Sequence, residues 1–200
     1  MPRSSAGAVV LVLLLISLTQ FASAGLIHAK AWLAPILIER AWQQSLLGQG
    51  RAVKPWPWAD TWPVARLSVP ALGVTRFVLH GDGGHSLAFG PGYDISSAAF
   101  GDPGTAIVGG HRDTHFAFLA DMATGVLLTL QMSDGHTRQY RVARTQVVDS
   151  QKGLLPVSGS EELVLVTCFP FDGVTTAGTL RFLVHLDPVP VADGDLSGRA

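Results

Sequence analysis

Two hundred residues carrying 14 Lys plus Arg against 15 Asp plus Glu, a net charge of −1, have no field strong enough to gather nucleic acid or an anionic surface. Once an apolar N-terminus is set aside, the length suits one domain with its own core and leaves little room for two. Charged residues make up 14% of the chain, against roughly 25% in ordinary soluble proteins, and a single cysteine excludes an internal disulfide.

From Ala6 to Ile27 there is no charged residue, and the run centres on Val9-Val10-Leu11-Val12-Leu13-Leu14-Leu15-Ile16. As a helix it spans about 33 Å, enough for a bilayer core. Arg3 precedes it while Lys30 and Arg40 follow, so the charge bias orients it only weakly. Ala22-Ser23-Ala24 also satisfies the small-x-small pattern of a signal-peptide cleavage site. An uncleaved anchor over residues 6–27, with residues 1–5 as a short cytoplasmic end, and a cleaved signal are both open. Either exports the remainder.

Residues 28–63 divide into a helix and a linker. Trp32, Ile36, Glu39 and Gln43 stand among repeated Ala and Leu, with apolar residues at spacings of three and four, which predicts a juxtamembrane helix over 30–47. Pro55-Trp56-Pro57-Trp58 and Trp62-Pro63 break it and mark a strap laid over the domain or a membrane-interface segment.

From Val64 the pattern becomes β-rich. Val64–Val69 and Val74–Leu79 flank Pro70-Ala71-Leu72-Gly73, and Val126–Met132 and Thr137–Val148 flank Asp134-Gly135, a strong hairpin signal. Gly104–Gly109, Glu162–Cys168 and Thr179–Asp187 add three strands, and only Phe116–Met122 reads as a short helix. The expectation is an all-β domain over residues 64–187, a closed or nearly closed barrel of about eight strands with one or two short helices. Residues 188–200 read as a flexible tail.

Three residues in this domain carry chemical potential. Cys168 ends the run Leu163-Val164-Leu165-Val166-Thr167 and is followed by Phe169-Pro170-Phe171, so its side chain lies at a sheet rim. A lone thiol in an exported domain is either a small buried hydrophobe or a working nucleophile. His111 follows Gly109-Gly110 just past a strand, where missing side chains let a second backbone approach. It is a general base or a surface loop histidine. Arg181 alternates onto one face with Leu183 and His185, opposite Leu180, Phe182, Val184 and Leu186. A cation there requires a carboxylate partner or a cleft. Arg112 is the rival cation, and its polar loop points to a solvated charge or a local salt bridge. His111 and His115, with Asp113 and Cys168, offer a weak zinc pattern, because His-x-x-x-His converges only on a helix and Gly109-Gly110 make a poor helix start.

The segment from Gly104 to Phe116, containing Gly109-Gly110-His111-Arg112-Asp113-Thr114-His115, closely resembles the active-histidine block of sortases. Leu165-Val166-Thr167-Cys168-Phe169-Pro170-Phe171 resembles their Thr-x-Thr-Cys block, with Val166 a departure, and Leu180-Arg181-Phe182 resembles the strand bearing their active arginine. Arg66-Leu67-Ser68-Val69-Pro70 stands at the usual first strand, so the resemblance covers residues 64 to 187, and it is closest to the sortase group of Gram-negative bacteria. It implies a membrane-anchored cysteine transpeptidase needing no cofactor, with Cys168 as nucleophile, His111 as acid/base and Arg181 stabilising the transition state. Gly110, Thr167 and Phe169 would line the substrate. Its partners would be a protein with a C-terminal Leu-Pro-x-Thr-like sorting motif, an amine acceptor on peptidoglycan or protein, and the inner membrane, with the catalytic domain in the periplasm. The competing readings are a catalytically silent exported barrel with a binding groove, and an L,D-transpeptidase, whose Ser-x-Gly-Cys-Arg block Thr167-Cys168-Phe169 does not match.

Overall fold

The computed structural model describes residues 3–152, 158–173 and 178–190, with the side chains of residues 3–6, 8 and 21–31 outside the described set. The chain divides into two units, Met1–Leu37 and Ile38–Ala200. Helix α1 (Arg3–Leu47) is continuous in sequence across that division and contains Pro35. The helix expected over 30–47 therefore belongs to a longer one. Proline costs a single N–H, and the Ala- and Leu-rich flanks are strong helix formers.

In the first unit, Val9 to Ile16 and Leu18 are exposed around the helix. Among the described residues no helix is long and apolar enough to cross a membrane. The span expected over 6–27 includes side chains at 6, 8 and 21–27 that lie outside the described set.

In the second unit, the end of α1 buries Ile38, Ala41, Trp42 and Ser45, a stripe at helical spacings of three and four. Glu39 and Gln43 are exposed, as is Trp32 in the first unit. Trp42 is fully buried with its ring centroid 5.9 Å from that of Phe77. The tryptophan-rich linker is a strap on the barrel: Trp56 meets Phe89 edge-on at 5.1 Å and Trp62 stacks on His80 at 3.9 Å. The Thr61 hydroxyl donates to the His80 carbonyl at 2.7 Å. Trp58 alone stands out, 82% exposed.

The barrel strands are β1 (Pro63–Val69), β2 (Val74–His80), β3 (Gly92–Tyr93), β4 (Thr105–Gly109), β5 (Leu127–Met132), β6 (Thr137–Asp149), β7 (Glu162–Cys168) and β8 (Leu180–Pro188). They close in the order β1-β2-β3-β4-β7-β8-β6-β5, and β5 pairs back onto β1. Both predicted hairpins form, β1–β2 across a 3₁₀ turn at Pro70–Leu72 and β5–β6 across Gly135, whose φ of 93° explains the glycine. Asp134 caps that turn by accepting from the His136 N–H at 2.9 Å. β3 has two residues, too few to show a period, and the four-residue helix α2 (Gly84–Leu87) was not foreseen. The predicted Phe116–Met122 helix is a 3₁₀ turn over Ala117–Asp121.

The core is built from inward positions of every long strand, among them Leu67, Val78, Val108, Leu130, Val142, Leu165 and Val184, plugged by Phe116 and Leu119. Replacing Trp42 by Ala should cost about 3–5 kcal/mol through lost burial and the cavity left behind, read as a lower urea midpoint for the full chain.

Candidate functional site

β7 sits between β4, to which it is parallel, and β8, to which it is antiparallel. Leu163 and Leu165 point into the core, so pleating turns Glu162, Val164, Val166 and Cys168 to the outer face. On β8, Val184 and Leu186 point inward, which turns Arg181, Leu183 and His185 outward as the alternation predicts. Cys168 and Arg181 are direct cross-strand partners on that shared face. The neighbouring Phe169 N–H donates to the Leu180 carbonyl at 3.1 Å. Cys168 and Arg181 are therefore the close, non-hydrogen-bonded kind of pair, with Cα atoms about 4.5 Å apart.

His111 arrives from the other side. The last β4–β7 pair is Gly109 with Val166, and the Gly110 N–H continues the ladder by donating to the Val166 carbonyl at 3.1 Å. The Thr167 hydroxyl donates to the Gly110 carbonyl at 2.7 Å. His111 and Cys168 each stand two residues past that last pair, so the three predicted residues come from one end of three adjacent strands. The turn that follows is locked where the Phe116 N–H donates to the His111 carbonyl at 2.9 Å. A Cβ on Gly110 would lie 2.7 Å from the buried Phe116 ring, which is why this position is glycine.

The thiol of Cys168 is half-buried, so the reading as a fully buried hydrophobe does not hold. His111 is exposed. Arg181 Nη1 donates to the carbonyls of Gly178 and Leu180 at 2.8 and 2.9 Å, and among the described residues it forms no ion pair. Of the three expected lining residues, Gly110 and Thr167 hold the β4 and β7 ends together. Phe169 is half-buried, stacked parallel to Phe182 at 6.2 Å.

Arg112 is not the solvated charge its loop suggested. It is only 9% exposed, and its guanidinium donates to the Pro170 carbonyl at 2.8 Å and to that of Gly173. The cation is drawn in because those carbonyls, on the segment after Cys168, stand where strand ends β4 and β7 meet. Local sequence holds no trace of partners so far along the chain.

The outer face behind the site is also covered. Val164 and Leu183 are buried, and a polar cluster closes its far end. His185 Nδ1 lies 2.8 Å from Glu162 Oε1, and Thr105 donates to Glu162 Oε2 at 3.0 Å. The β6–β7 connection is tied at both ends of this face. Ser150 bonds the Thr179 carbonyl through N–H and hydroxyl near the site, and the Ser158 N–H donates to Thr105 at the far end. Residues 153–157 of the β6–β7 connection lie outside the described residues, as do 191–200 of the expected tail.

His115 is half-buried beside the site, and its pKa is lowered, first by burial and then by the nearby positive charges of Arg76 and His111. Among the described residues no three His, Cys, Asp or Glu side chains group closely enough to hold a metal.

A family model described as a Sortase domain matches residues 67–189. Sortase D of Bacillus subtilis (strain 168) is 29% identical over 121 residues, 60% of this chain and 60% of its own length, so the match spans well under two thirds of that relative. Among solved structures, sortase C-1 from Actinomyces oris aligns with a TM-score of 0.56 at 27% identity, covering 64% of this chain and 74% of that one. Sortase A from Corynebacterium diphtheriae aligns with a TM-score of 0.58 at 22% identity over 81% of this chain and 86% of that one, a likeness of fold.

Two predictions follow from this packing. Gly110→Ala should destabilise by about 1–3 kcal/mol through overpacking, while Gly109→Ala, whose Cβ meets nothing within 4 Å, should stay within about 0.5 kcal/mol of the parent in denaturant titration. The lowered His115 pKa means that the unfolded chain, titrating near 6.5, takes up the proton first, so stability falls as pH drops below that value. His115→Gln should therefore lose less melting temperature than the parent between about pH 7.5 and 5.5. An equal loss in both would remove His115 from the acid response.

Proposed function

Since this chain belongs to the sortase family, with the family's domain over residues 67–189, we propose that it is a cysteine transpeptidase acting through Cys168, His111 and Arg181. The observation that carries this reading is the pairing of Cys168 with Arg181 across β7 and β8, with the His111 turn hydrogen-bonded onto the same end of β7. The three side chains come from three strands separated in sequence, which suits a nucleophile, an acid/base and a charge stabiliser working on one carbonyl.

The substrate is a protein ending in a Leu-Pro-x-Thr-like sorting signal. The thiolate sulfur bonds to the scissile carbonyl carbon, and the tetrahedral oxyanion is met by the Arg181 guanidinium. Arg181 already donates to two backbone carbonyls on its own strand approach, which fixes its plane before substrate arrives. The C–N bond then breaks, with the leaving amine taking a proton from the His111 imidazolium. An acceptor amine on peptidoglycan or protein attacks the thioester, gives its proton to His111 and expels the thiolate. The sorting peptide binds at the rim where Cys168, His111 and Arg181 gather, beside Ser150, which is tied to the Thr179 carbonyl.

The chain is held to the inner membrane by residues 6–27 as a single uncleaved span, with the barrel in the periplasm. This rests on the charge-free run, on the apolar side chains from Val9 to Leu18 exposed around α1, and on the resemblance to Gram-negative sortases. A helix apolar on all sides has no partner in water. The full chain should stay with membranes through alkaline extraction and keep its N-terminus, whereas a mature chain starting at Gly25 would end the anchor.

Cys168→Ala should abolish both peptide cleavage and the thioester adduct seen by mass spectrometry while leaving the melt unchanged, and cleavage by this variant would sink the nucleophile assignment. His111→Ala should be nearly as damaging. Arg181→Lys keeps the charge but loses the planar fork, so single-turnover acylation should fall by about 10²- to 10³-fold. Acylation at the parent rate would make Arg181 structural.

A further inference from the structure

We propose that Arg112 is a positioning residue that sets the His111–Cys168 geometry by clamping the loop after the nucleophile to the turn that carries the histidine. The inference rests on the catalytic reading of Cys168 and His111 and adds a residue that this reading does not use.

The turn bearing His111 and the segment after Cys168 belong to different strands, and ordinary ladder bonds join them only up to Gly110 and Val166. The Thr167 hydroxyl makes one further tie, to Gly110, on the N-terminal side of both working residues. On the C-terminal side the tie is Arg112. It follows His111 directly and reaches the carbonyls of Pro170 and Gly173, 58 and 61 positions away. His111 and Cys168 thus lie between two cross-links, each joining the same two segments.

The chemistry of the tie matters as much as its place. A guanidinium that is 9% exposed has given up most of its hydration and is repaid by charge-assisted bonds to carbonyls. Two of its nitrogens engage two separate carbonyls, so the plane of the fork fixes direction as well as distance. An ammonium can satisfy one carbonyl well but cannot impose that plane. The fit is close on the other side too, since a Cβ on Gly173 would lie 3.1 Å from Arg112 Nη1 and 3.3 Å from the Pro170 carbonyl oxygen. Proton delivery from His111 to the leaving amine needs near-contact geometry, and an error of about 1 Å costs on the order of 10²-fold in rate.

Two variants of the full chain test this by different routes. Arg112→Lys removes the fork and keeps the charge; Gly173→Ala keeps the arginine and crowds the clamp. Each is assayed for single-turnover acylation across peptide concentration, for the rate at which a methanethiosulfonate reagent labels Cys168, and for melting temperature. Labelling needs the thiol but no proton donor held at a set distance. Positioning predicts a fall in kcat of about 10- to 100-fold for Arg112→Lys, and a smaller fall in the same direction for Gly173→Ala. KM, the labelling rate and the melt should move little. Acylation at the parent rate in both variants overturns the proposal, as does a loss of activity matched by equal loss of labelling or by the unfolded fraction. If Arg112→Lys fails to fold, Gly173→Ala decides alone. Cys168→Ala and His111→Ala are run alongside. If either retains cleavage, the catalytic reading itself falls; if both are dead while the clamp variants are intact, only the clamp does.

Discussion

Parallel pairing of β4 with β7 joins segments 57 positions apart, from the Thr105–Glu162 contact at one end to the Thr167–Gly110 bond at the other. A parallel pair cannot be closed by a tight turn, so the chain between must leave and return. Here it uses the excursion to build the β5–β6 hairpin and complete the barrel. The consequence is that two strand ends of the same polarity arrive side by side at one rim. Each delivers the first residue past its ladder, or the last within it, to the same place. β8 then runs back along β7 and sets Arg181 against Cys168. A slip of one residue in either pairing would turn a participant to the core face, so register and the geometry of the proposed site are one constraint.

That constraint explains why small and ring-bearing residues cluster where they do. Gly110 lets β4 end against β7, with the Phe116 ring in the space that a side chain there would occupy, whereas a Cβ on Gly109 would meet nothing within 4 Å. Phe116 in turn belongs to the barrel core. The histidine turn is therefore braced from below by buried hydrophobic area and from the side by hydrogen bonds to β7. Positions held in this way depend on the whole domain, which is the rigid support a reaction site needs.

Much of this was legible in the chain itself. Period-two runs bounded by Pro-Ala-Leu-Gly and Asp-Gly announce hairpins, and the alternation around Arg181 names the face it shares with Leu183 and His185. Those are local signals, carried by neighbours within a few residues. What stayed hidden depends on distant partners. Arg112 reads as a loop charge because nothing near it in sequence shows Pro170 and Gly173. The helical spacing before residue 47 was legible, but nothing near Trp42 in the sequence shows that it packs on Phe77. β3, at two residues, has no pattern to read; it exists because Gly92 permits a backbone approach that a Cβ, 2.4 Å from the Gly81 carbonyl oxygen, would forbid.

The polar cluster at the far end of the outer face follows from the same parity. Glu162 and His185 face outward with Cys168 and Arg181, yet both are buried. Glu162 Oε1 and Arg144 Nη2 both lie within hydrogen-bond distance of His185 Nδ1, at 2.8 and 3.0 Å, while Nε2 has no partner among the described residues. Arg144, 3.8 Å from Glu162 at the more exposed edge, adds a weaker ion pair. Removing either Glu162 or His185 leaves the other a buried polar group without its partner, at about 1–3 kcal/mol. The cluster thus holds Thr105, and through it Ser158, at one end of the outer face, while Ser150 bonds the Thr179 carbonyl at the other, so the described ends of the β6–β7 connection are fastened to the same strands that carry Cys168 and Arg181.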